Sequence, residues 1–244
     1  MIAQNSLSPR LQALFDVVER VQQHDRYDNV WDCCCDHGYL GIKVLSEGCC
    51  ETVYFVDQIP HITQDLEGKL SSYPMSRYAV ITKDAGALEF SSNQRHLVIL
   101  AGVNGKSAIS IVNTIMANHA HEQIDFLLCP TNAQYDVREY LLEQDFSLAF
   151  EMIVADKKHQ YEVIYVRAKI ESTRHKNVSL IGAMWDEGNP EHQRYLTNTI
   201  AHYQRAIQGG ERRRSIDILQ RYQACFDDIF CKSSVTKFTT TKYT

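Results

Sequence analysis

The stretch Val30-Trp31-Asp32-Cys33-Cys34-Cys35-Asp36-His37-Gly38-Tyr39-Leu40 decides how the rest of the chain is read. An apolar run ends at Asp32, a tight polar turn follows, and Gly38 to Leu45 reads as the start of a helix. Strand, turn and helix in that order present backbone N–H groups to a ligand in α/β proteins. The next apolar run, Thr52-Val53-Tyr54-Phe55-Val56, again ends on an acid, Asp57. An acid about 20 residues beyond the first turn is where a Rossmann-like sheet holds ribose hydroxyls.

Working outward, Leu11, Leu14, Phe15, Val18 and Val21 recur at helical spacing behind Ser8-Pro9, a capping hydroxyl followed by a proline suited to the first helical position. The pattern predicts strands at 28–33, 52–56, 78–82, 96–101 and 124–129, alternating with helices at 38–45, 59–70, 109–116 and 137–142. Two β-rich segments, 147–155 and 161–168, flank Asp156-Lys157-Lys158-His159 and read as an antiparallel pair. Five alternating units closed by a hairpin predict an α/β fold with the Rossmann-like sheet of a class I methyltransferase over residues 1–168. Dehydrogenases usually continue with parallel βα units instead. Beyond Lys169 strand signals stop. Asn189-Pro190 opens a helix with Leu196, Ile200, Tyr203 and Ile207 on one face, and Gly209-Gly210 breaks it. A second helix from Ser215 carries Ile216, Leu219, Phe226 and Phe230. Residues 169–231 are therefore expected to form a coiled-coil-like helical hairpin domain, and 232–244 a disordered tail.

Composition narrows the classes. At 244 residues, 44% hydrophobic and 23% charged, the chain is long enough for one α/β core plus a small second domain. No apolar run approaches the roughly 20 residues that span a bilayer. The stretch Met1 to Ser6 lacks the regions of a secretory signal, so a cytoplasmic protein with no membrane contact is expected. Of the eight cysteines, three are consecutive and two more adjacent, and no Cys-x-x-Cys occurs. Reduced thiols filling small apolar sites, with no metal, is the reading. Charge is uneven: residues 1–166 hold 12 Lys+Arg against 22 Asp+Glu, whereas 167–221 hold 10 against 6. A basic appendage on an acidic body suits a polyanion-binding enzyme, and Arg212-Arg213-Arg214 adds to that.

Four strand ends converge on one sheet edge: Asp32 with Asp36, Asp57, Asp84, and the loop from Gly102 to Gly105. Acids there suit a ligand rich in hydroxyl and amino donors and would repel a pyrophosphate. A nucleoside carrying a cationic sulfonium fits better than a dinucleotide, which favours S-adenosylmethionine over NAD. The absence of Gly-x-Gly-x-x-Gly also argues against an NAD-dependent oxidoreductase.

Six segments in order resemble the bacterial tRNA (adenine-22, N1)-methyltransferase family, TrmK, which joins a Rossmann-like methyltransferase domain to a C-terminal coiled-coil domain. Asp32 to Leu40 is similar to the family's Asp-x-Gly-x-Asp-His-x-x-Leu, and Lys83-Asp84-Ala85-Gly86-Ala87-Leu88 to its Gly-Asp-Gly-Leu. Leu100-Ala101-Gly102-Val103-Asn104-Gly105 resembles Ile-Ala-Gly-Met-Gly-Gly. Cys129-Pro130-Thr131-Asn132 and Arg138-Glu139-Tyr140-Leu141 resemble Gln-Pro-Asn and Leu-Arg-x-x-Leu. Asp156 with Tyr161-Glu162 resembles Asp-x-x-x-Tyr-Glu, and Leu7-Ser8-Pro9-Arg10-Leu11 opens the matching region. The chain departs at Cys34 and Asn104, glycines in the family, and at Pro130-Thr131-Asn132.

The resemblance implies an S-adenosylmethionine-dependent enzyme that methylates N1 of an adenine in tRNA, and a monomer is expected. It implies that Arg10, Asp32, Cys34, Asp36, His37, Asp57, Gln58, Asp84, Ala85, Ala101 and Gly102 surround the cofactor. Within that set Asp57 would hold the ribose and Asp84 with Ala85 the adenine ring. Arg10 would meet the cofactor carboxylate or an RNA phosphate, its bland alternative being a solvated helix residue. Asp36 and His37 would touch the methionine moiety or the incoming adenine, and Asn104 and Asn132 would line the substrate entrance. Arg205, Arg212, Arg213 and Arg214 would clamp tRNA through its phosphates. The alternative is a protein that keeps the fold, has lost cofactor through Cys34 and Asn104, and serves as an RNA- or protein-binding module.

Overall fold

A computed structural model describes residues 6–168, 176–210 and 213–231. The linker from Lys169, Arg212 and the expected tail lie outside those residues. The chain divides into two compact units, residues 1–178 and 179–244.

The first unit opens on helix α1 (Pro9–His24), with Ser8 Oγ accepting from Leu11 N and Pro9 at the first helical position. Strand β1 (Asn29–Cys33) leads to α2 (Tyr39–Glu47), β2 (Thr52–Asp57) to α3 (Pro60–Leu70), and β3 (Tyr78–Thr82) to β4 (Arg95–Ala101). Then come α4 (Gly105–Asn118), β5 (Gln123–Cys129), α5 (Gln134–Glu143), β6 (Ser147–Asp156) and β7 (His159–Arg167). The seven strands form one sheet in the order β3-β2-β1-β4-β5-β7-β6. β1 to β5 run parallel, and β7 is antiparallel to both β5 and β6. β1 is buried along its whole length, as a central strand covered on both faces must be. One core joins α1, α2 and α3 to the sheet, and the other packs Ala108, Val112, Ile115, Val137 and Leu141 of α4 and α5 against its opposite face.

Three sequence expectations shift here. Helix α4 starts four residues before Ile109, because Asn104 caps it by accepting from Ser107 N at 2.9 Å. The β6–β7 turn shortens to Lys157 and Lys158, with Asp156 paired to His159. The first unit also runs ten residues past the expected boundary at 168: Asn177 forms a β-bridge with Ser147, and Val178 is buried.

The second unit holds α6 (Pro190–Gln208), capped by Asn189, and α7 (Arg213–Phe226), which runs on into a π-helical turn at Asp227–Cys231. In α6 Tyr195, Leu196 and Ile200 are buried. In α7 the buried face is Ser215, Ile218 and Tyr222, while Ile216 is 38% exposed. The expected stripe through Ile216 is rotated from this one by about one residue, or 100°. Tyr222 decides it by stacking on Tyr203 of α6, ring centroids 6.0 Å apart.

Candidate active site

The three acid-bearing strand ends and the Gly102–Gly105 loop lie at the carboxyl edge of the parallel strands, where the β1–α2 loop folds into a tight, strained turn. Cys34 and Asp36 both adopt left-handed backbone, φ +56° and +47°, and Gly38 follows at +69°. A Cβ on Gly38 would sit 2.3 Å from Leu66 Cδ2, so glycine is required there. Behind the turn, buried Asp32 accepts from Gly41 N through Oδ2 at 2.9 Å and so anchors the start of α2. Burial, with a smaller contribution from Asp57, pushes its carboxyl up to about 7. Asp57 knits two loops: Oδ1 accepts from Ile59 N at 3.0 Å and Oδ2 from Asp36 N at 3.4 Å. Asp84 follows β3, and its Oδ1 accepts from Gly86 N at 2.7 Å.

Two cavities open along this edge. The larger, about 560 Å³, is lined by Asp57, Gln58, Lys83, Asp84, Ala85 and the α4 residues Ser107, Ser110 and Thr114, among others. The smaller, about 360 Å³, is lined by Arg10, Asp32, Cys35, Asp36, His37, Tyr39, Ala101 and Gly102 with their neighbours. Cys34 and Val103 line both, so the two spaces meet at these side chains. Every residue read from the sequence as cofactor-facing borders one cavity or the other. Volumes of this size are those of small-molecule sites.

Arg10 reaches the smaller cavity from the first turn of α1, its guanidinium 5.1 Å above the Tyr161 ring. Its Nη1 is buried and has no hydrogen-bond partner among the described residues. Gly102, at φ +90°, gives that arginine room, since a Cβ there would stand 3.3 Å from Nη1. Asp36 and His37 are exposed beside the same cavity, Nε2 of the histidine 3.8 Å from the carboxylate. The thiols are poor nucleophiles, because burial raises Cys34 to about 11 and Cys35 further still.

Asn104 and Asn132 line neither cavity, and both side-chain oxygens hold the protein's own backbone. Asn104 caps α4 and Asn132 Oδ1 accepts from Gly105 N at 3.1 Å. Arg205 lies near the end of α6, and Arg213 and Arg214 in the first turn of α7, so these arginines flank the Gly209–Gly210 turn of the second unit.

Sequence reasoning missed three features. Ser107, Ser110 and Thr114 form a polar stripe on α4 whose spacing of three and four was legible. Arg138 is fully buried, its Nε 2.6 Å from Glu162 Oε2 and its Nη1 2.8 Å from Glu151 Oε2. That triad ties α5 to the β6–β7 pair. At the opposite edge of the sheet, Tyr27 hydrogen-bonds Asp125 and Tyr165. Among the described residues no His/Cys/Asp/Glu group is placed to hold a metal, and no helix is long and apolar enough to cross a membrane.

A methyltransferase domain family matches residues 7–164, the stretch that builds the sheet and both cavities. The chain belongs to this family. Among solved structures, this methyltransferase is similar to TrmK of M. capricolum in complex with S-adenosyl-homocysteine, at 14% identity and a TM-score of 0.73, over 91% of this chain and 99% of that one. The B. subtilis m1A22 tRNA methyltransferase TrmK is similar at 16% identity and a TM-score of 0.68, over 91% and 96%. A Streptococcus pneumoniae protein in complex with S-adenosyl-L-methionine gives 18% and 0.70, over 90% and 99%. At such identities the likeness is one of fold. No curated protein matches the sequence.

Proposed function

We propose that this methyltransferase uses S-adenosylmethionine to methylate N1 of an adenine in tRNA, as a cytoplasmic enzyme. The observation that carries the reading is the pair of cavities meeting at Cys34: Arg10, whose Nη1 has no hydrogen-bond partner among the described residues, lines the smaller beside Asp32 and Asp36, and Asp57 and Asp84 line the larger. A zwitterionic amino acid joined to a nucleoside has the matching polarity. Arg10 would take its carboxylate, Asp57 the ribose hydroxyls, and Asp84 with Ala85 the adenine. A carboxylate has about four acceptor sites, so Asp57 and Asp84 keep capacity beyond their backbone bonds.

When bound, the cofactor supplies a methyl group activated on a cationic sulfur. An adenine N1 carries an in-plane lone pair, so no base need deprotonate it, and the chain's work is alignment. Asp36 and His37 stand exposed beside the smaller cavity, where a splayed-out base would approach. Asn104 and Asn132 position the β4–α4 and β5–α5 loops that frame this edge. Arg205, Arg213 and Arg214, with Arg212, would meet tRNA phosphates.

Cys34 is the observation that favours a second reading, a non-catalytic binding module, since its side chain stands between the two cavities. Calorimetric titration with S-adenosylmethionine separates the two. Micromolar affinity, about −8 kcal/mol, followed by N1-methyladenosine in treated tRNA, supports the enzyme. A folded protein that does not bind the cofactor refutes it.

A further inference from the structure

The β6–β7 turn carries charges that this reading leaves unused. β7 runs antiparallel to β5, so the turn before it lies at the edge where β5 ends and the cavities open. Tyr161, early in β7, stacks with Arg10, which lines the smaller cavity. A strand advances about 3.4 Å per residue, so Lys158 stands only about 10 Å from that tyrosine along the chain. Lys157 and Lys158 are both exposed, and neither has an ionic partner among the described residues.

Two further observations give these lysines meaning. Lys157, at φ +56°, sits in a two-residue hairpin turn whose geometry demands left-handed backbone, so what stands out is a lysine where glycine or asparagine would fit at lower steric cost. The surrounding body is also acidic, and an approaching polyanion meets Asp36, Asp57 and Asp84 at this edge. Unpaired positive charge beside the cavity mouth is what offsets that repulsion.

We infer that Lys157 and Lys158 dock the phosphate backbone of the RNA strand whose base enters the smaller cavity. The inference rests on the tRNA methyltransferase reading above and adds a docking point on the first unit, separate from the arginines of the second. The test compares the full-length protein with Lys157→Asn/Lys158→Gln. Three quantities are measured: affinity for an unmodified tRNA transcript across a salt series, affinity for S-adenosylmethionine, and melting temperature. Each phosphate that is no longer neutralised lowers the log–log salt slope by roughly one. The variant is expected to bind tRNA about tenfold more weakly with a slope lower by about two. Its cofactor affinity should be unchanged, and its melting temperature equal or higher, since Asn relieves the turn. Wild-type affinity and slope in the variant would overturn the inference alone. A wild-type protein that binds S-adenosylmethionine but no tRNA would overturn the reading beneath it, and the inference with it.

Discussion

Cys34 makes two separable demands on the protein, and replacing it tests both. Its φ of +56° places an L-residue in left-handed backbone, which costs about 1–2 kcal/mol. Glycine removes that cost but gains entropy in the unfolded chain, worth roughly 0.5–1 kcal/mol. The net expectation for Cys34→Gly is a stabilisation of about 0.5–1 kcal/mol, or a melting temperature higher by about 1–4 °C for a chain of this size. Cys34→Ala keeps the strain and removes only Sγ, so it should not raise the melting temperature. Affinity for S-adenosylmethionine reads the second demand. Because the side chain borders both cavities, Gly and Ala should each tighten cofactor binding, by about tenfold if 1.4 kcal/mol of crowding is relieved. Thermal melts and calorimetry on the three proteins give the answer. Equal melting temperatures for Ala and Gly would refute the backbone argument. Equal affinities for all three would refute the crowding argument and leave the cavities joined without hindrance.

Other outcomes follow from single side chains. Arg10→Met should weaken S-adenosylmethionine at least tenfold by calorimetry with little change in melting temperature, since Arg10 pairs with no carboxylate among the described residues; an unchanged affinity would remove it from the site. Arg138→Met should cost about 3–5 kcal/mol in denaturant unfolding, because it leaves Glu162 charged and buried, and a loss under about 1 kcal/mol would show that the triad is dispensable. Asp32 titrates at about 7 when folded against an ordinary 3.8, so the folded state holds its proton more tightly and stability is lost as pH rises from about 4 to 7. Asp32→Asn should therefore gain stability over wild type progressively across that window and hold the gain above it, and parallel pH–stability curves would contradict this. His96 runs the other way: its buried Nδ1 accepts from Trp31 Nε1 at 3.1 Å, and burial lowers its pKa from 6.5. It costs stability as pH falls below 6.5, a loss that His96→Gln should blunt in the same curves.

The sheet was legible because buried parallel strands leave continuous apolar runs, and β1, β4 and β5 are such runs. Helix boundaries were less so where polar residues begin an element. In the sequence Asn104-Gly105 reads as loop, since apolar periodicity starts only at Ile109, whereas the Asn104 cap starts the helix at Gly105. On α7 two stripes a residue apart were both apolar enough, and the choice was made by a tyrosine stack between helices that spacing alone does not encode. Within the site, the acids were found because each follows a strand. The left-handed backbone at Cys34 leaves no trace in hydrophobic pattern, and only the glycine of the resembling family pointed to it. Arg138 illustrates the remaining gap: a charged residue becomes core only through Glu162, 24 positions away, and Glu151.

On the proposed function, the distribution of charge at the cavity edge would let one domain serve two ligands of opposite sign. Carboxylates occupy the strand ends that line the two cavities, where they would favour a ligand carrying a cationic sulfonium. The unpaired lysines stand on a turn projecting into water, where attraction for phosphates is long-ranged but screened by salt. Raising ionic strength should therefore weaken tRNA binding far more than cofactor binding. The buried Asp32 sharpens the contrast. Burial pushes its carboxyl up to about 7, and a cation bound nearby would favour the ionised form. Cofactor binding would then release a proton near neutrality and tighten as pH rises from 6 to 8. The neutral thioether left after methyl transfer would lack that gain, so S-adenosylhomocysteine should show a flat pH profile. Identical profiles for the two ligands would mean that the charge on sulfur is not felt at Asp32.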